Sequence, residues 1–77
     1  MSGDVNAMRN KASETLIQLY NFADREKRIA EEQSVQAKSV KDYRASERLL
    51  NYAYAMEKVR SKVSALARKN FGLDVTV

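Results

Sequence analysis

The second half of the chain places apolar side chains at alternating steps of four and three, at Ala45, Leu49, Tyr52, Met56, Val59, Val63 and Leu66. A mean step of about 3.5 residues lines all seven along one side of a helix, as a seam that has to press against another helix. The first half carries a second stripe, Val5, Met8, Ala12, Leu16, Leu19, Ala23 and Ala30, with Tyr20 and Phe22 at its edges. These positions fall within an arc of roughly 80° at 100° per residue. Glu26 interrupts that stripe, and Ile17 points almost the opposite way.

The pattern predicts two helices. The first runs from about Asp4, whose carboxylate can cap free backbone N–H groups, to about Gln33. A break is placed in 34–39, where the first stripe falls out of phase with the second seam. Ser39 followed by Asp42 there has the form of a capping box. The second helix runs from about Val40 to Phe71. Gly72 is placed to turn left-handed, with Leu73 packing back as in a Schellman motif, and Arg68 and Lys69 suit the negative end of the helix dipole. The tail, residues 73–77, favours extended backbone in Asp74-Val75-Thr76-Val77. It can fold back, join a partner's sheet edge or fray. One unbroken helix of about 65 residues is the rival reading, because the chain has no proline and only two glycines, Gly3 and Gly72.

Two mutually facing stripes make an all-α, antiparallel two-helix hairpin, a single domain over residues 1–77. A chain of 77 residues rarely gains more than about 3–5 kcal/mol from its own core. There is no cysteine to form a disulfide and no histidine to favour a metal site, and no calcium-loop motif is legible. Self-association is the support that remains, most simply as a dimer forming a four-helix bundle, or docking onto another protein. No cofactor and no metal is expected.

Two further features bear on partners. Ile17 on the first helix, and Tyr43, Leu50 and Tyr54 on the second, lie well away from the two stripes and are read as an external contact. A helix apolar on two sides is normally flanked on two sides. Partly exposed tyrosines with wetted hydroxyls are the ordinary alternative. Charge is also uneven: residues 1–37 carry five basic and six acidic side chains, residues 38–77 nine and four. Lys41, Arg44, Arg48, Lys58, Lys62 and Lys69 form one stripe, in which Arg44/Arg48 and Lys58/Lys62 repel each other. A solvated face, or pairing with Glu14, Glu26, Glu31 and Glu32 of the first helix, explains the stripe most simply. Nucleic acid or another acidic surface is the sharper alternative.

Without histidine or cysteine the usual proton shuttle and the best nucleophile are both missing, so no catalytic residue is assigned and the chain is not read as an enzyme. No apolar run approaches the ~20 residues that span a bilayer, and no secretory leader or myristoylation pattern is legible at Met1-Ser2-Gly3. A cytoplasmic location is expected by default. The function expected is a non-catalytic protein–protein interaction module, acting as an adaptor, inhibitor, chaperone-like or assembly subunit. The alternative is a small basic nucleic-acid-binding regulator.

Overall fold

A computed structural model describes residues 2–75, with side chains described from residue 10 onward. The chain is all-helical: α1 (Ser2–Ser39) and α2 (Tyr43–Phe71) pack against each other as a hairpin, with no strand among the described residues. The result is a rod of 60 × 18 × 16 Å. Among the described residues, no helix is long and apolar enough to cross a membrane. α1 begins at Ser2, so Asp4 lies within the helix rather than at its cap, and the side chains of Asp4, Val5 and Met8 lie outside the described ones.

The break falls later than the pattern predicts. Residues 34–39 stay helical, and the reversal occupies 40–42. Nothing in 34–39 opposes helix, and Ser34 is buried against α2 rather than freed into a loop. Its Oγ lies 2.8 Å from Ser46 Oγ and donates to the Ser46 carbonyl at 3.2 Å. The turn itself is a Schellman motif with an unusual residue at its pivot. Lys41 takes a left-handed conformation (φ 63°) and donates to the Lys38 carbonyl, while Asp42 N–H reaches the Ala37 carbonyl. Glycine normally fills that position because a Cβ is disfavoured there, so a lysine gave no stop signal.

Asp42, not Ser39, caps α2. Its Oδ1 accepts from Ala45 N–H at 3.2 Å, whereas Ser39 Oγ donates to the Gln36 carbonyl within α1. A capping box also needs a Glu or Gln three residues beyond the cap, and Ala45 stands there. At the other end Gly72 is left-handed, as its position requires, with φ 59° and ψ 28°. Its N–H donates to the Arg68 and Ala67 carbonyls, and Leu73 N–H also reaches the Ala67 carbonyl. The described part of the tail folds back. Val75 is buried, Leu73 is half-buried, and Asp74 lies 3.8 Å from Arg68. Thr76 and Val77 lie outside the described residues.

The seam is built from small side chains. On α1 the buried and half-buried ladder is Leu16, Tyr20, Ala23, Lys27, Ala30, Ser34 and Ala37. On α2 it is Ser46, Leu49, Ala53, Met56, Arg60, Val63 and Ala67. Both ladders alternate steps of three and four, the antiparallel coiled-coil spacing. Among the described residues no large side chain is fully buried, and the most enclosed seam positions are four alanines, two serines and Val63. Small residues let two helix axes approach closely, so backbone and Cβ atoms supply much of the contact.

Candidate interaction interface

The seam divides the hairpin into two unlike long faces. Because the helices run antiparallel, the positions just after a seam residue on both helices share one side, and those just before share the other. The first side is polar and cross-braced. Arg60 Nη1 donates to Asp24 Oδ1 at 2.6 Å, Lys27 Nζ lies 3.9 Å from Glu57 and 3.8 Å from Glu31, and Arg28 lies 3.2 Å from Asp24. The Asp24 hydrogen bond holds the Arg60 guanidinium even more firmly protonated than usual. The Arg60 guanidinium also sits 5.9 Å from the centre of the Tyr20 ring.

The second side is apolar and open. From α1 it receives Ala12, Thr15, Leu19, Phe22, Glu26, Ile29 and Gln33; from α2 it receives Ala45, Arg48, Tyr52, Ala55, Val59, Lys62 and Leu66. Leu19, Phe22, Ile29, Tyr52 and Leu66 are 42–47% exposed. Clustered side chains of this size, unlike scattered ones, mark a surface that meets something.

The seven-residue ridge expected on α2 is therefore split between two surroundings. Leu49, Met56 and Val63 turn toward α1. Ala45 and Val59 are half-buried at the margin, while Tyr52 and Leu66 stand exposed on the apolar side. The physical reason is that α2 offers two apolar ladders sharing the positions 49, 56 and 63. Close packing selects the one completed by Ser46, Ala53, Arg60 and Ala67, because these small residues fit against Ala23, Ala30 and Ser34 and because Arg60 reaches Asp24. Leu19 and Ala12 of the expected α1 stripe are likewise exposed on the apolar side, while Tyr20 moves into the seam.

Ile17, Tyr43, Leu50 and Tyr54 all lie on the polar side and are exposed, interspersed with Asp24, Glu31, Glu47 and Glu57. The basic stripe does not pair with the acids of α1. Lys41, Arg44, Arg48, Lys58, Lys62 and Lys69 make no ion pair among the described residues, and Glu14, Glu26 and Glu32 make none either; Glu31 bonds within its own helix. Arg48 and Lys62 edge the apolar side, while Lys41, Arg44, Lys58 and Lys69 lie farther round α2 and are exposed. Lys58 instead stands 4.7 Å over the Tyr54 ring.

No family model, curated protein or solved structure matches the chain. Its functional reading therefore rests on the two faces.

The α1 half of the apolar side, Leu19, Phe22 and Ile29, was missed as a surface by the sequence reading. A signal for it exists: residues 12, 15, 19, 22, 26, 29 and 33 keep strict three–four spacing one position before the seam.

Proposed function

We propose that this chain is a non-catalytic protein–protein interaction module that acts as a homodimer, two hairpins joining through their apolar faces into a four-helix bundle. It serves as an adaptor, inhibitor, chaperone-like or assembly subunit, and its polar face and ends remain free for a further protein. The observation that carries this reading is the exposed ladder of Leu19, Phe22, Ile29, Tyr52 and Leu66 on one side of a hairpin whose core is mostly alanine and serine. Covering each of these large side chains contributes about 1.5–3 kcal/mol. That is comparable to the whole stability available to a chain this small.

Light-scattering mass across a hundredfold range of concentration tests the reading, together with the melting temperature over the same range. A mass near twice 8.8 kDa and a melting temperature that rises with concentration are expected. A monomer whose melting temperature does not move would end the proposal.

A second reading is supported by the unpaired cations on the outer side of α2, Arg44, Lys58 and Lys69 foremost. They stay exposed in a dimer and can contact phosphates of nucleic acid. Binding to a short duplex that weakens steeply with salt is its signature, and a flat titration at low salt removes it.

A further inference from the structure

The basic residues of α2 are unevenly spaced along one row. Arg44, Arg48, Lys58, Lys62 and Lys69 fall within an arc of about 80° at about 100° per residue, and that arc holds no acid. All five are exposed, and none makes an ion pair among the described residues. Along the axis they form three groups: Arg44 with Arg48, Lys58 with Lys62, and Lys69. Asn51 and Ala55, short and uncharged, occupy the row between the first two groups. At about 1.5 Å per residue the group centres stand about 21 Å and then about 13 Å apart, about 34 Å in all. α2 is one helix over Tyr43–Phe71, so these intervals are held stiffly.

Two unequal intervals that sum to about 34 Å match one turn of B-form DNA. A line along the outside of that duplex crosses phosphate ridges separated in turn by the wide and the narrow groove. Their openings are about 12 and 6 Å, to which the phosphates add their own width. A straight helix laid along the duplex sets Arg44 and Arg48 on one ridge and Lys58 and Lys62 on the next, across the major groove. Lys69 then meets the third ridge, across the minor groove. Asn51 and Ala55 pass over the major groove without entering it, so phosphates are contacted and base edges are not. Arg48 and Lys62 border the apolar side, where long side chains keep their charged ends in solvent even when that side is covered.

We infer that this face of α2 binds double-stranded DNA lengthwise, over one helical turn and without sequence preference. The inference rests on the nucleic-acid reading above and adds which form is bound and in what orientation.

Fluorescence anisotropy on the full chain tests it, using two unrelated duplexes of about 20 base pairs, two turns each, and one of their single strands. Both duplexes should bind alike, and more tightly than the single strand. With all five cations on phosphates, log affinity should fall against log salt with a slope of about −4.5. Glutamine in place of any one of them should reduce that slope by about one. The decisive variant moves the middle group at constant charge, combining Asn51→Lys and Ala55→Lys with Lys58→Asn and Lys62→Ala. These four positions share the arc, so only the spacing changes. The moved variant should bind duplex about tenfold or more weakly than wild type, as Lys58→Gln with Lys62→Gln does, yet bind the single strand as wild type does. Far-UV circular dichroism checks that each variant stays helical. If the moved variant unfolds, the single substitutions decide: an unchanged slope in Arg44→Gln or Lys69→Gln refutes a contact spanning the full turn. Wild-type duplex affinity in the moved variant, or tighter binding of the single strand, overturns the lengthwise placement and leaves the nucleic-acid reading standing. No duplex binding at low salt, or binding only to vesicles of anionic lipid, ends both.

Discussion

The two long sides of the hairpin have similar length and helical spacing and both expose large apolar residues, but they differ in how densely charges are set among them. On one side, Asp24, Lys27, Glu57 and Arg60 tie α1 to α2, and large apolar residues such as Leu50 and Tyr54 are separated by charges. On the other side no ion pair crosses between the helices among the described residues, and Leu19, Phe22, Ile29, Tyr52 and Leu66 lie together. The difference separates two tasks. The braced side holds the hairpin's own register, since a misaligned α2 would part Arg60 from Asp24. The apolar side does little for the isolated chain and has most to gain from being covered.

Substitutions that act on one side only test that division. The largest effect is expected from Leu66→Asp, which removes an apolar contact twice per dimer and adds a charge; at about 1.5–3 kcal/mol per side chain, association should fall by at least two orders of magnitude. Tyr54→Asp, the matching change on the braced side, should leave the mass unchanged in the same light-scattering series. Equal losses from the two would erase the distinction between the faces.

Next comes the seam. Ala53→Leu places a large side chain at a buried seam position and should cost about 1–3 kcal/mol by overpacking, read as a lower denaturant midpoint at every protein concentration. An unchanged midpoint would mean that the alanines are not in contact.

Lys41→Gly relieves a left-handed lysine and touches neither face. It should raise hairpin stability by about 1 kcal/mol, visible in thermal melts of the Leu66→Asp background as well as the native one. The smallest effect belongs to Asp24→Asn. The ion pair is part-exposed and screened by solvent, so about 0.5–1 kcal/mol is lost, and 1 M salt should shrink the gap from wild type.

The helical content and the paired stripes were legible in the sequence, because a chain without proline and with glycine only near its ends gives periodicity little competition. Gly72 was legible for the same reason: only glycine enters the left-handed region freely. Lys41 carried no such mark, so the reversal was displaced toward the nearest serines. The seam was legible in period but not in phase. Hydropathy favours Tyr52, Val59 and Leu66 over Ala53, Arg60 and Ala67, whereas interhelical distance favours the smaller set, and no single-helix pattern contains that distance. Of the ladder that was expected to bind α1, Leu49, Met56 and Val63 do so, while Ala45, Tyr52, Val59 and Leu66 line the open face.

The turn at Lys41 also shapes how the chain acquires its structure. Ser34 and Ser46, twelve positions apart, meet close to the reversal, while Asp24 and Arg60 are separated by thirty-six. Each step away from the bend closes a longer loop, and the entropy of closure grows only slowly with length. Once the serine clasp forms, every following contact extends an existing one, and the rod zips from its closed end toward its open one. Mutational effects on the folding rate should then fade along the rod, strongest near Ser34 and Ser46 and weakest near Leu16 and Ala67.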